Sequence, residues 1–203
     1  MKVELHLHTA RYSYCARPTP ARFVEQLIRL GYEAVYITEH DAVWDDWEID
    51  QLRQGYPDIR IFPGVELTIT RDPIQHLLVL GTMDRAFLSM DGPAEVLAEA
   101  RRRGHLTVLA HPFRWEGASE MLESGVLPDA LELRSVNQGP QGASLAQAAA
   151  ERYGMPLVNC GDSHDLDFLD RFWIETDRPL RRVDDIRSAV LNRAYVNCTG
   201  DNS

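Results

Sequence analysis

The chain has 203 residues, of which 44% are hydrophobic and 26% charged, and its formal net charge at pH 7 is −10. Because no linker, repeat or low-complexity tract divides it, we expect one globular domain over residues 1–203. No run approaches the roughly 18 apolar residues of a membrane span, and the N-terminus is too polar for a secretory signal, which predicts a cytoplasmic protein without membrane contact. The negative net charge argues against long nucleic acid as a partner, although about two or three bound divalent cations would offset roughly +4 to +6 of that charge.

Short apolar runs alternate along the chain with polar turns and helix-like segments. A strand at 2–8 comes first, and an amphipathic helix begins at Thr19-Pro20, where Thr caps the helix and Pro fits its first turn. Farther on, ELTIT and HLLVLG flank Arg71-Asp72-Pro73, which predicts a hairpin. The remaining expected elements are strands at 34–38, 59–67, 106–110, 129–133, 156–160, 172–176 and 195–198, and helices at 45–54, 93–103, 143–153 and 183–193. These make about seven β/α repeats, so the sequence predicts an α/β fold of the TIM-like (β/α)7 barrel type.

Histidines occur at the C-terminal ends of predicted strands, in VELHLH, VYITEHD, TVLAHP and LVNCGDSH. Reacting groups collect at that end of β/α barrels, because the loops there vary while the strands stay rigid. His6 and His8 lie two residues apart on one strand, so their side chains project to the same face and could hold one metal or two adjacent ones. Alone, this pair could equally be the polar face of a strand.

Carboxylates and further histidines extend the pattern. Glu66 ends the strand IFPGVE, where its two oxygens could bridge two cations, and His76 begins the return arm of the hairpin. His111 follows the strand LTVLA, and Asp162 and His164 stand two apart beyond PLVNC. Nitrogen and oxygen ligands of these kinds suit manganese, iron or zinc, and the sequence leaves the choice among them open.

Two other histidines are interpreted from their neighbours. His40 lies between Glu39 and Asp41, and either carboxylate could accept a hydrogen bond that fixes the tautomer of the His40 ring. His105 follows three arginines at the base of a predicted strand, so we expect it to be structural or solvent-facing.

These segments occur in the order of the motifs of the PHP (polymerase and histidinol phosphatase) family, which the chain resembles over residues 4–164. HLHT, TEHD, AHP and GDSH are similar to its four motifs, and GVE to its bridging-glutamate segment. The resemblance implies a distorted seven-stranded β/α barrel with its metal site at the C-terminal end of the strands. It also implies one metal at His6, His8, Glu66 and Asp162, a second at Glu66, His76 and His111, and a third at His40 and His164.

The chain departs from the family pattern near the third site. Many members carry an Asp or His shortly after the first motif, whereas this chain reads ARYSYCARP and places Tyr14 and Cys15 there. Cys15 could ligate a soft metal as a thiolate. Alternatively it packs, and the third metal binds weakly or not at all, which is the interpretation we favour.

The resemblance implies a hydrolase that acts on phosphoric ester bonds with two or three divalent metal ions. The leading hypothesis is hydrolysis of a small phosphomonoester (a nucleotide, a sugar phosphate or an amino-alcohol phosphate) by a metal-activated hydroxide. Glu66, His40 and His164 would serve catalysis, and Arg17 and Arg114 are candidates to hold the phosphate. One alternative is an exonuclease or phosphatase acting on short oligonucleotides or nucleoside bisphosphates. Another is a non-catalytic, metal-binding structural or regulatory module. The sequence does not indicate the oligomeric state.

Overall fold

The fold is that of a computed structural model, which describes residues 1–115 and 120–200. Within these ranges the strands are β1 (Lys2–Leu7), β2 (Ala34–His40), β3 (Arg60–Arg71), β4 (Ile74–Leu80), β5 (Leu106–Ala110), β6 (Ala130–Glu132), β7 (Leu157–Val158), β8 (Phe172–Thr176) and β9 (Tyr195–Thr199). The helices are α1 (Pro20–Arg29), α2 (Asp46–Gly55), α3 (Pro93–Arg103), α4 (Glu120–Glu123), α5 (Pro140–Tyr153) and α6 (Asp185–Leu191), with 3₁₀ turns at Arg85–Ser89 and Leu166–Phe168. None of the helices in the described ranges is long and apolar enough to cross a membrane.

All the strands belong to one sheet, in the order β7-β6-β5-β4-β3-β2-β1-β8-β9. β1, β2 and β3 are parallel, as are β5, β6 and β7, whereas β4 runs antiparallel to both of its neighbours. The predicted hairpin is present, because β4 returns directly from β3. The α/β barrel prediction is confirmed, but the described residues form nine strands rather than seven repeats, since β4 and β9 are additional to the simple alternation.

Side chains nearly close the barrel between its two edge strands, β7 and β9. The Tyr195 hydroxyl and the Asn197 amide donate to the Leu157 carbonyl at 2.7 and 2.9 Å. The backbone N–H of Asn159 donates to Asn197 Oδ1 at 2.7 Å, and its side-chain amide donates to the Cys198 carbonyl at 2.9 Å. These bonds satisfy edge groups that would otherwise lack a strand partner.

The first helix shows how local sequence sets the frame of the barrel. Thr19 has extended backbone geometry and its hydroxyl accepts from the Arg22 N–H, while Pro20 occupies the first turn, as predicted. The buried side chains of α1 are Phe23, Val24 and Leu27, which pack against the outer face of the sheet. Buried residues from β1 to β8 form a separate cluster that fills the barrel interior beneath the site.

A β-bulge in β1 aims its histidines. Glu4 pairs with Val35 and Leu7 with Ile37, so β1 has one more residue than β2 across this interval. The Glu4 carboxylate accepts from the His6 N–H at 2.9 Å inside the bulge. Bulges of this kind redirect side chains beside functional sites.

Candidate metal centre

Eight predicted ligand residues converge at the C-terminal ends of the parallel strands. They come from the ends of β1 to β3, the start of β4, and the loops that follow β5 and β7. Six of them are imidazoles and two are carboxylates, and most are buried. The set is His6, His8, His40, Glu66, His76, His111, Asp162 and His164.

Glu66 lies at the centre of the cluster, fully buried, and each of its oxygens faces different rings. Oε1 is 3.3 Å from His6 Nε2, 3.0 Å from His76 Nδ1 and 3.2 Å from His111 Nε2. Oε2 is 2.8 Å from His40 Nδ1. Burial alone would raise the pKa of Glu66, but the charge of His6 and the close ring nitrogens of His111 and His40 lower it well below its usual range. The carboxylate is therefore ionised and placed between two sets of nitrogens.

Asp162 is the second carboxylate of the cluster. Its Oδ1 lies 3.4 Å from the Nε2 atoms of both His6 and His8, and the Asn137 amide donates to Oδ2 at 2.7 Å. Burial opposes ionisation, but His6 and His8 outweigh it and lower the pKa of Asp162. Asp162 has φ +50° and His111 has φ +30°, conformations that L-residues adopt at a cost and that cluster at functional sites.

The tautomers of His6 and His8 can be worked out from their hydrogen bonds. His6 Nδ1 is 3.0 Å from Glu132 Oε2, and because an ionised carboxylate only accepts, Nδ1 carries the proton. Ser13 Oγ donates to Glu39 at 2.6 Å, so it must accept from His8 Nδ1, 3.2 Å away. In the neutral form of each ring, the form that can bind a metal, Nε2 is therefore the nitrogen without a proton.

These lone pairs show that the residues fit divalent cations. The Nε2 atoms of His6 and His8 are 3.0 Å apart, and two lone pairs at that distance repel unless a cation lies between or beside them. Glu66 Oε2 is buried and has no hydrogen-bond partner among the described residues, although ring nitrogens lie close to it. Carboxylate–histidine pairs of the Glu132–His6 kind orient metal ligands and fix their tautomer.

The third group of donors is made of imidazoles. The rings of His40 and His164 both stack on His8, with centroids 4.2 and 4.3 Å from it and 5.8 Å from each other. Burial and the neighbouring His8 lower the pKa of His164 to about 4, so His164 is neutral and can ligate. Cys15 lines the same cleft as an exposed side chain, not the packed one that was expected, and partial burial raises the pKa of its thiol, which favours the neutral thiol over a thiolate.

Some expectations are corrected. Neither neighbour of His40 hydrogen-bonds its ring: Asp41 accepts from the N–H and hydroxyl of Thr68 at 2.7 and 2.8 Å, and Glu39 accepts from Thr9 and Ser13. That prediction was wrong, because β2 directs the two carboxylates toward β3 and the loop after β1. His105 lies before β5, at the opposite end of that strand from His111, and packs 5.9 Å from Phe87, as expected.

Several residues that support the site were not predicted from the sequence. Glu132, Ser13 and Asn137 hold His6, His8 and Asp162, and Glu4 accepts from the N–H groups of both His6 and Gly161. Burial raises the pKa of Glu4 to about 7. The sequence shows only that Glu4 precedes His6 by two residues on β1 and that Glu132 follows a short apolar run, the end of β6, and it does not indicate the partners of either glutamate.

A cleft of about 510 Å³ opens above the cluster. Arg114 lines it with its guanidinium carbon 4.6 Å from the Trp115 ring centroid, and so does Arg171, 5.2 Å from Phe168. Arg17 instead is largely exposed, with a guanidinium nitrogen 3.5 Å from an Asp165 oxygen, and does not line the cleft. The sequence analysis did not select Arg171.

Comparisons with known proteins bear on the fold. No protein-family model and no curated protein matches the chain. A two-domain Bacteroides vulgatus protein, containing a PHP-like metal-dependent phosphoesterase assigned by prediction, matches with TM-score 0.75 and 19% identity over 98% of this chain. This chain spans 64% of that protein's length. A Bifidobacterium adolescentis protein assigned as a metal-dependent phosphoesterase matches with TM-score 0.68 and 15% identity over 95% of this chain and 96% of its own.

A third similar structure is an amidohydrolase from Chromobacterium violaceum, solved with bound sulfate and no metal. It matches with TM-score 0.69 and 12% identity over the full length of both chains. These likenesses show that the chain has the barrel fold of PHP-like phosphoesterases and of this amidohydrolase. The fold implied by the sequence resemblance is thereby confirmed.

Proposed function

We propose that this protein is a metal-dependent phosphoesterase, a hydrolase whose substrate is a small phosphomonoester such as a nucleotide, a sugar phosphate or an amino-alcohol phosphate. The observation that carries the proposal is Glu66, whose two buried oxygens face separate sets of imidazole nitrogens. The assigned activities of two proteins of the same fold support it, and sulfate bound to a third is a tetrahedral oxyanion like phosphate. A cytoplasmic location is part of the proposal.

The cluster divides into ligand sets for two or three divalent ions, with manganese, iron and zinc as the metals that suit it. In the proposal His6, His8, Glu66 and Asp162 hold the first ion, and Glu66, His76 and His111 hold the second. His40 and His164 belong to the third. Three groups of donor atoms, each within 4.8 Å of one another, overlap these sets: His8 with His40 and His164, His6 with His8 and Glu66, and His40 with Glu66 and His76. The last group combines two second-ion ligands with His40 rather than with His111.

The residues of the chain have distinct tasks in this hydrolysis. When bound, the divalent ions supply positive charge for the phosphoryl oxygens and a water of lowered pKa. Glu132 and Ser13 keep His6 and His8 in the tautomer that binds, so no ring has to reorganise. With a pKa of about 4, His164 is unprotonated near neutral pH and suits ligation or proton acceptance rather than donation. The proton for the leaving group would come from a water or, where His40 is not bound to metal, from His40, which is partly exposed to the cleft.

The test combines metal analysis with activity. Purified protein would be analysed for metal by mass spectrometry, reconstituted with manganese, iron or zinc, and screened against phosphomonoesters, nucleoside bisphosphates and short oligonucleotides. We expect two or three metals per chain and phosphate release from a small ester. Glu66→Gln should lose metal and activity together, while Glu151→Gln, the same change on the exposed face of α5, should retain both.

Other outcomes would decide against the proposal. Faster cleavage of short oligonucleotides or nucleoside bisphosphates than of any other phosphate ester in the screen would favour the hypothesis of an exonuclease or phosphatase acting on them. Metal-loaded protein that hydrolyses none of the substrates would favour the non-catalytic metal-binding module. Activity that survives in Glu66→Gln with unchanged metal content would remove Glu66 from its bridging role.

A further inference from the structure

The walls of the cleft carry two cations in addition to the ligand cluster at its floor. Arg171 lies directly before β8, and Arg114 follows β5. Within residues 1–115 and 120–200, neither guanidinium has a carboxylate partner, whereas arginines elsewhere on the surface, such as Arg103 and Arg187, pair with aspartates at 2.6 and 2.9 Å. These two guanidinium groups, which no described carboxylate pairs with, place positive charge on the walls of the cleft, above the ionised carboxylates of its floor.

Both guanidinium groups are held by aromatic rings that also line the cleft. Arg171 lies over Phe168, and Arg114 lies over Trp115, whose ring is itself packed edge-on against His76 and His111 with centroids 6.0 and 5.4 Å away. Stacking uses the face of a guanidinium and leaves its in-plane N–H donors available. A planar guanidinium group with free N–H donors can donate two parallel hydrogen bonds to the two oxygens of a carboxylate or phosphate.

The reacting phosphate does not require these arginines for charge neutralisation. In the proposed function its oxygens lie on the divalent ions held at the floor of the cleft. The cleft of about 510 Å³ is in the range that holds a whole small molecule rather than a phosphate alone. The guanidinium groups are thus left to contact the part of the substrate beyond the ester.

We propose that the cleft selects phosphate esters that carry a second anionic group, a carboxylate or another phosphate, and that Arg171, assisted by Arg114, binds that group. This inference rests on the proposed function and adds a specificity determinant to it. Arg171 would then act mainly on binding of the ester, since the second anion is remote from the bond that breaks.

Matched substrates test the proposal on the metal-loaded enzyme. Glycerol 3-phosphate, 3-phosphoglycerate and propane-1,3-diol bisphosphate share a three-carbon skeleton and differ in whether the far end is neutral, a carboxylate or a phosphate. Sorbitol 6-phosphate and 6-phosphogluconate repeat the neutral and carboxylate ends at a longer reach. We expect the wild type to show a kcat/KM at least about 10-fold higher for one of the doubly anionic esters than for its neutral match, the strength of one charge-assisted contact.

The variants distinguish a loss of binding to the second anion from a general loss of activity. Arg171→Gln should lower kcat/KM for the preferred doubly anionic ester about 10- to 100-fold, mostly through KM, and change the neutral match less than about twofold. Arg114→Gln should act in the same direction. Arg152→Gln is the control, because Arg152 also lies over an aromatic ring, Tyr153 at 5.1 Å, but on the exposed side of α5. Equal losses on charged and neutral esters, or no wild-type preference, would overturn the proposal.

Failure of the proposed function can be told apart from failure of this inference. If the metal-loaded wild type hydrolyses none of these esters, calorimetry would compare binding of 3-phosphoglycerate and 6-phosphogluconate with that of their neutral matches. Tighter binding of a carboxylate ester that falls at least about fivefold in Arg171→Gln would support the anion site without catalysis. Equal binding of charged and neutral esters would overturn it.

Discussion

Replacing Glu132 by Gln should weaken metal binding without dismantling the site. His6 Nδ1 lies 3.0 Å from Glu132 Oε2, both side chains are fully buried, and the second oxygen of Glu132 has no hydrogen-bond partner among the described residues. The charge of Glu132 is therefore directed at His6. An amide of the same length can still accept from Nδ1–H, but it no longer raises the basicity of the Nε2 lone pair.

Loss of such a supporting carboxylate typically lowers metal affinity about 10- to 100-fold, which corresponds to roughly 1.4–2.8 kcal/mol. Titration of the chelator-stripped protein with manganese should show this shift in the half-saturation point, while kcat at saturating manganese changes less than about threefold. Glu151→Gln on the exposed face of α5 should bind metal as the wild type does. Wild-type affinity in Glu132→Gln would refute the argument that the charge of this carboxylate strengthens His6 as a metal ligand.

Three further results are expected. Gly161→Ala should destabilise the protein by about 1–3 kcal/mol in urea unfolding, since a Cβ there would lie 2.3 Å from the Glu4 carboxylate. Tyr195→Phe should cost about 1 kcal/mol in the same assay, because the hydroxyl donates at 2.7 Å to Leu157 across the barrel seam. Manganese affinity should rise with pH: burial opposes protonation of His8, but nearby carboxylates outweigh it and raise its pKa, so protons compete with metal up to that raised value.

Each of these predictions has a matched control. Gly55→Ala at the end of α2 meets no atom within 4 Å and should not destabilise the protein. Tyr14→Phe removes a hydroxyl from a fully exposed ring and should leave urea unfolding unchanged. Manganese binding that is constant between about pH 6 and 8 would contradict the proton competition. A Gly161→Ala variant that is as stable as the wild type and fully metal-loaded would show that the Glu4 side chain can move aside at little cost, contrary to the prediction.

The candidate ligands could be predicted because their position is a consequence of local sequence. A strand-end histidine such as His111 is set at this rim by the parallel arrangement of the strands, and Glu66 lies at the same level because it pairs with His40, the last residue of β2. The alternation of side chains on a strand placed His6 and His8 together, and Thr19-Pro20 marked the start of α1. These inferences need only strand ends and side-chain direction.

The supporting residues could not be predicted, because their partners are distant in sequence. Glu132 and His6 are in contact although they are 126 residues apart in sequence, and no local pattern predicts that contact. The sequence extended the last parallel strand over 156–160, whereas β7 covers two residues. Asn159 instead bonds to β9 through both its backbone N–H and its amide, a tertiary contact that strand propensity does not encode.

Net charge alone does not show where the charges of a protein act. Among the described residues, five carboxylates are almost wholly buried in or next to the ligand cluster: Glu4, Glu39, Glu66, Glu132 and Asp162. All five accept hydrogen bonds inside the barrel or face the histidines, so part of the formal −10 lies at the ligand cluster and not on the protein surface. The ionic groups on the cleft walls are arginines, and solution ions screen surface charges beyond about 8–10 Å. An acidic chain of this kind can disfavour a long polyanion, which must cross its surface, and still bind a small anion that contacts only the cleft.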